Sequence, residues 1–204
     1  MKRSAASPPA KTAPRRAQGA PAHEVRIIGG QWKRTKLAVL DKPGLRPTPD
    51  RVRETLFNWL GQDLEGWRCV DAFAGTGALG LEAASRGAAE VLLVEQDPEL
   101  VARLRAMQAK LEAVGVKVQR ANGLSVLAGL APGTIDLVFL DPPFDADLYG
   151  KALTASAAAL APEGQIYLEA PSAWNDAALA PFGLTIARHL RAGAVHAHLL
   201  RRAA

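Results

Sequence analysis

The sequence predicts a doubly wound α/β protein: a seven-stranded, mostly parallel sheet with helices on both faces and an antiparallel hairpin at its C-terminal end. Three observations lead there. From Trp67 onward, short apolar runs alternate with helix-length stretches, the pattern of repeated βαβ units. Val91-Leu92-Leu93-Val94 is apolar throughout and 135–140 nearly so, as central parallel strands covered on both faces require. Two further strand-like runs follow each other across Ala192-Gly193, a spacing that suits a tight antiparallel turn.

In chain order, core strands are expected near 67–72, 90–95, 116–120, 134–140, 164–169, 183–190 and 194–201. Helices are expected near 77–86, 98–113, 123–129, 147–160 and 173–180. A smaller unit precedes them. Residues 25–30 and 35–40 read as two short strands joined through Gln31-Trp32-Lys33-Arg34, a basic hairpin with a tryptophan at its tip. Thr48 is the expected N-cap of the next helix and Pro49 its first position. Val52, Leu56, Phe57 and Leu60 share one face of that helix, and Gly61 stops it. Pro8, Pro9, Pro14 and Pro21 break up a stretch rich in Ala, Lys and Arg, so residues 1–23 read as a disordered basic tail. The expected organisation is the tail over 1–23, a hairpin-and-helix extension over 24–62, and the main domain over 63–204.

Composition bounds the function. At 204 residues the chain holds one α/β domain with modest appendages, and 49% hydrophobic residues allow a sizeable core. No apolar run approaches the roughly 18–20 residues that span a bilayer, and the N-terminus lacks the apolar core of a secretory signal. A soluble, cytoplasmic protein is expected. The single cysteine, Cys69, excludes an intramolecular disulfide and reads as a small buried core residue. Net charge is +5, and the tail alone, with Lys2, Arg3, Lys11, Arg15 and Arg16 and no acid, equals that excess. Basic residues dominate again from Arg26 to Arg53 and from Arg188 onward, whereas the middle is acidic. Basic ends around an acidic middle suggest a polyanion partner.

Two loops carry the chemistry. The first runs from Asp71 to Gly80, between the first core strand and its helix. Gly75, Gly77 and Gly80 satisfy the G-x-G-x-x-G pattern of dinucleotide sites, and Glu95 follows at the expected distance. Spacing alone therefore leaves NAD and S-adenosylmethionine level. Asp71 tips the balance, because a carboxylate ahead of the glycines repels a pyrophosphate and attracts a sulfonium and an ammonium. Asp71-Ala-Phe-Ala-Gly-Thr-Gly77 also resembles motif I of the class I methyltransferases, a Rossmann-like fold. That resemblance implies S-adenosylmethionine as cofactor, held by Asp71, Phe73, Ala74, Gly75, Thr76 and Gly77. Glu95 would accept from the ribose hydroxyls, with Gln96 and Gly123 completing the expected set. Asp97 ahead of Pro98 reads as a helix N-cap, and Asn122 fits an adenine contact and an N-cap equally.

The second loop, Asp141-Pro142-Pro143-Phe144, ends the fourth core strand. Consecutive prolines fix φ and remove two N–H donors, leaving a stiff loop with free carbonyl acceptors. The tetrapeptide resembles the [Asp/Asn]-Pro-Pro-[aromatic] signature of amino methyltransferases acting on nucleobases. An exocyclic amine is a poor nucleophile because its lone pair is delocalised into the ring. The Asp141 carboxylate and Pro142 carbonyl can bind its N–H groups and aim the lone pair at the methyl. Phe144 would stack on a base flipped out of its helix.

The N-terminal unit narrows the reading. Val25-Arg-Ile-Ile-Gly-Gly-Gln-Trp-Lys-Arg34 and Arg46-Pro-Thr-Pro-Asp-Arg-Val-Arg-Glu-Thr-Leu-Phe-Asn-Trp-Leu60 resemble the RsmD family of bacterial 16S ribosomal RNA guanine-N2 methyltransferases. The resemblance is dense from Val25 to about Tyr149 and thins in the C-terminal quarter. It implies RNA contacts from Arg26, Trp32, Lys33, Arg34, Arg46, Arg51 and Arg53, and a substrate of 16S rRNA within the 30S subunit or its assembly precursor. Arg51 and Arg53 equally suit helix-surface ion pairs, and Trp32 equally suits packing the hairpin onto the domain. A monomer is expected, without metal, since His196 and His198 lack a third ligand and sulfonium methyl transfer requires none. The rival readings are an adenine-N6 methyltransferase on DNA or RNA, an NAD-dependent oxidoreductase, and a non-catalytic RNA-binding assembly factor.

Overall fold

The computed structural model describes residues 23–40, 42, 48–143 and 146–203. Most of the expected tail, together with Arg46 and Phe144, lies outside these residues. Strands β1 (His23–Arg26) and β2 (Lys36–Val39) form a separate antiparallel hairpin, with Val25 opposite Leu37. His23 thus belongs to a strand rather than to the tail. Both strands are shorter than expected because Gly29 and Gly30 leave the ladder to lie against the helix α2 (Ala78–Ser85). Gly30 has φ +72°, and a Cβ there would sit 1.8 Å from the Ser85 carbonyl oxygen, which only glycine avoids.

Helix α1 (Asp50–Trp59) follows, then β3 (Arg68–Asp71), α2, β4 (Glu90–Glu95), α3 (Pro98–Lys110), β5 (Val116–Arg120), α4 (Gly123–Ala128) and β6 (Ile135–Leu140). The chain continues through α5 (Ala146–Ala159), β7 (Leu160–Ala170), α6 (Asp176–Leu179), β8 (Leu184–Ala192) and β9 (Val195–Arg202). The seven-stranded sheet has the order β5-β4-β3-β6-β7-β9-β8. Pairs among the first five are parallel, and β9 pairs antiparallel with both β7 and β8. The chain works outward from β3 to β5, then returns to place β6 on the other side of β3. That reversal opens a crevice at the carboxyl ends of β3 and β6, where open α/β sheets bind ligands.

Two apolar layers cover the sheet. One packs Val25, Ile27 and Leu37 of the hairpin, Leu56 and Phe57 of α1, and Leu79 and Leu81 of α2 against Cys69, Leu137, Phe139 and Tyr167. The other packs α4 and α5 through Leu127, Ala152 and Leu153 against Val70, Val138, Ile166 and Leu168. The hairpin and α1 thus share a core with the domain beneath them, and Phe57, Phe139 and Tyr167 pack in sequence, tilted then edge-on, at centroid distances of 6.4 and 6.3 Å.

Three expectations change. Thr48 does not cap α1: Pro49 occupies the cap position without a side-chain bond, and the Thr48 hydroxyl donates instead to Glu169 Oε1 at 2.6 Å. β7 begins at Leu160, directly after α5, with a register shift between Ile135 and Leu137 absorbing the extra residues. The helix expected over 173–180 shrinks to α6 and a 3-10 turn at Ala180–Phe182, since Pro181 contributes no N–H to a longer ladder.

Candidate active site

The carboxyl ends of β3, β4, β6 and β7 and the loops that follow them surround a cavity of about 380 Å³. Asp71 to Thr76 form one wall, Glu95 to Asp97 a second, and Asp141 to Pro143 with Glu169 a third. Strand register explains the third wall. Leu140 lies opposite Leu168 on β7, so Asp141 and Glu169 are the next residues of two neighbouring parallel strands. The two loops singled out by the sequence thus meet across one space.

Asp71 is buried, and its Oδ2 accepts from Gly80 N at 3.0 Å. Burial pushes its carboxyl up to about 7, and the Gly80 and Phe73 N–H groups offset only part of that rise. Burial also raises Asp141 well above the usual carboxylate range, with the Glu169 and Asp71 charges adding to it. Glu169 is raised by burial in turn, although the Thr48 and Tyr167 hydroxyls favour its charged form. Among the described residues none of these three acids has an ion-pair partner. Three crowded acids without an ion-pair partner fit a cationic ligand, since a positive charge beside them would hold them ionised.

The remaining residues divide. Gly75 has φ +52° and Gly77 φ +78°, the left-handed conformations that the tight turn requires. Gly75 and Thr76 line the cavity. Gly77 does not; it is the N-cap residue of α2, where a Cβ would meet Leu104 at 2.6 Å. Glu95 is committed to the backbone, with Oε2 accepting from Gly75 N at 2.9 Å and Oε1 from Gln96 and Asp97 N at 2.7 and 2.9 Å. Holding the glycine loop is therefore one of its functions, and Oε2 keeps capacity for one ribose hydroxyl. Asp97 caps α3 through Glu99 and Leu100 N. Asn122 caps α4 through Ser125 N and lies outside the cavity lining, whereas Ala121 and Gly123 line it. A Cβ on Gly123 would sit 2.2 Å from the Ala72 carbonyl oxygen, so glycine permits that close approach.

The basic candidates also separate. Arg26, Lys33, Arg34 and Arg51 are exposed. Arg53 is not on the surface at all: it is 0% exposed and bonds Thr48 O, Arg26 O and Asp50, with Glu82 at 3.5 Å. That excludes Arg53 from direct RNA contact, whereas the helix ion pair also considered for it is present, to Asp50 at 2.7 Å, with the guanidinium end buried. Trp32 is half-buried against the core, which favours its packing role, and its backbone N–H donates to Ser85 Oγ at 2.9 Å. Sequence reasoning missed Thr48, Glu169 and Lys42 as lining residues; Lys42 pairs with Asp97 at 2.6 Å and Glu99 at 3.1 Å. His189, His196 and His198 stack on the β8–β9 hairpin, and among the described residues no group of three such ligands could hold a metal.

Comparison with known proteins agrees with this geometry. Residues 25–201 match the family described as Conserved hypothetical protein 95. Ribosomal RNA small subunit methyltransferase D of Escherichia coli strain K12 is 44% identical over 184 residues, 89% of this chain and 91% of that protein. Its namesake from Haemophilus influenzae is 41% identical over 72% of this chain and 78% of its own length. The solved yhhF methyltransferase-fold structure from Escherichia coli superposes with a TM-score of 0.77 at 41% identity, covering 89% of this chain and 99% of that one. Matched over nearly its whole described length, the chain belongs to the Conserved hypothetical protein 95 family, the RsmD family.

Proposed function

We propose that this chain transfers the methyl group of S-adenosylmethionine to the exocyclic N2 amine of a guanine in 16S rRNA, within the 30S subunit or its assembly precursor. The observation that carries the reading is the meeting of the Asp71–Thr76 loop and the Asp141-Pro142-Pro143 loop across one acid-lined cavity. When bound, the cofactor supplies an electrophilic methyl on a cationic sulfur. The chain's own residues do the rest. Asp71 and the glycine turn hold the cofactor's charged end, and Glu95 keeps that turn in place. The Asp141 carboxylate and Pro142 carbonyl accept the amine N–H groups and orient the lone pair in line with the methyl. The amine grows acidic as it is methylated, so its proton leaves to water without a dedicated strong base.

Arg26, Lys33, Arg34 and Arg51 are the exposed candidates for the RNA backbone, acting through phosphate contacts that position rather than specify. No helix among the described residues is long and apolar enough to cross a membrane; the setting proposed with this activity is a monomeric enzyme in the cytoplasm. The test is transfer of labelled methyl groups to 30S subunits from a strain lacking this modification. Label on guanine N2 that falls at least 100-fold with Asp141→Ala is expected. Equal incorporation by both proteins overturns the catalytic assignment, and label on adenine overturns the base.

A further inference from the structure

Glu169 has no place in the two loop motifs, yet it lines the same cavity as Asp141 and is buried. Its Oε1 accepts two hydrogen bonds, from Thr48 Oγ1 at 2.6 Å and Tyr167 Oη at 2.8 Å. Its Oε2 accepts none among the described residues. Two hydroxyls therefore fix which oxygen faces inward to the protein and leave the other to a ligand. Tyr149 Oη is also buried without a partner among the described residues, and burial pushes it up to about 12, with the charges of Asp141 and Glu169 adding to the rise. A buried carboxylate oxygen that lines a cavity without a donor is one a ligand must satisfy.

The nucleobases differ in what they offer such a pair of acceptors. Guanine presents two adjacent donors on its Watson–Crick edge, N1–H and the N2 amine. Adenine and cytosine each set an acceptor nitrogen beside their amine. Asp141 alone serves any exocyclic amine, whereas a second carboxylate beside it faces a hydrogen on guanine and a lone pair on the others. We propose that Glu169 is the residue that selects guanine, accepting N1–H through Oε2 while Asp141 and the Pro142 carbonyl take the N2 amine. This rests on the methyltransferase reading of the cavity and adds to it the basis of base choice.

The hydroxyl pair gives a directed test. In Glu169→Gln the Thr48 and Tyr167 hydroxyls still find an oxygen, so the amide NH2 turns toward the base and an acceptor becomes a donor. The probe is 30S subunits reconstituted with 16S rRNA carrying either guanine or 2-aminopurine at the position the wild-type chain methylates. 2-Aminopurine keeps the reacting amine but has a bare N1. Wild type is expected to favour guanine by about 100-fold in kcat/KM, the effect of leaving one buried acceptor unmatched. Glu169→Gln is expected to lose about 100-fold on guanine and to gain on 2-aminopurine, both measured at saturating cofactor. Equal losses on both bases, or a wild-type ratio near one, overturn the proposal. The wild-type ratio needs no variant, so it decides the matter even where Glu169→Gln does not fold. Failure of wild type to methylate guanine at all would instead refute the underlying enzymatic reading.

Discussion

Two groups of buried charge flank α1, and they are built on opposite rules. On one side Glu82, fully buried, accepts from Ile28 N at 2.6 Å, Gly29 N at 2.7 Å and Arg86 Nε at 2.8 Å, with Arg53 Nη1 at 3.5 Å. Arg86 also lies 4.7 Å over the Phe57 ring and bonds Gln62. Every charge there has an opposite charge within 3.5 Å. On the other side Asp71, Asp141 and Glu169 share a cavity in which the lysine, Lys42, is taken up by Asp97 and Glu99, and none of the three has an ion-pair partner among the described residues. The first group closes on itself and fastens the hairpin to α2. The second is completed only by a ligand. Satisfied charge marks structure here, and unsatisfied charge marks the site.

Removing one member from each group separates these rules. Glu82→Ala leaves two guanidinium groups and two backbone N–H groups without their acceptor, and a loss of about 3–5 kcal/mol is expected in urea denaturation. Methyl transfer per folded molecule should persist. Asp141→Ala is the mirror case, with transfer falling at least 100-fold while the melting temperature holds or rises, because an acid without an ion-pair partner is gone. A denaturation midpoint that drops for Asp141→Ala as far as for Glu82→Ala would erase the distinction.

The same contrast explains what the sequence could reveal. Asp71, Gly75 and Asp141 sit at strand ends within short local patterns, so periodicity and turn chemistry located them. The core strands were legible because 91–94 is apolar and 135–140 nearly so, whichever way the chain folds around them. Arg53 and Thr48 were misread for one shared reason. Apart from the local bonds of Arg53 to Asp50 and Thr48 O, their partners are distant in sequence, Glu82 by 29 residues and Glu169 by 121, and no local pattern encodes such pairs. Thr48-Pro49 looks like a helix start, and tertiary structure redirects the hydroxyl to a buried acid. Glu169 left one faint signal, an acid closing the apolar run Ile166-Tyr167-Leu168 just as Asp141 closes its own strand. Only the register between β6 and β7 turns that into a site.

Titration sharpens the comparison at a smaller scale. In the free protein the Asp71 carboxyl stands at about 7, above the ordinary 3.8, so the folded state keeps a proton that the unfolded chain loses. The resulting contribution to stability is full below 3.8 and declines as pH rises through 7. Cofactor binding should run the other way, because its cationic end prefers the carboxylate. Affinity is expected to rise by up to about tenfold per pH unit below 7 and then level off. Asp71→Asn should flatten that rise in calorimetric titrations. A slope unchanged in Asp71→Asn would assign the proton to Asp141 or Glu169 instead.

The smallest effects belong to the rim, where charge is neither buried nor crowded. Lys33 and Arg51 are exposed, and neither has an ion-pair partner among the described residues. Each is expected to contribute one phosphate contact, so Lys33→Ala or Arg51→Ala should reduce the slope of log affinity against log salt by about 1. At moderate salt the loss of RNA affinity should be only a few-fold, with stability and the guanine preference untouched. Arg53→Ala, two positions from Arg51 on the same helix, should instead lower stability, because its charge belongs to the satisfied group. If Lys33→Ala and Arg51→Ala leave the salt slope unchanged, the RNA backbone passes elsewhere, and the exposed Arg188 and Arg191 on the edge strand β8 become the next residues to test.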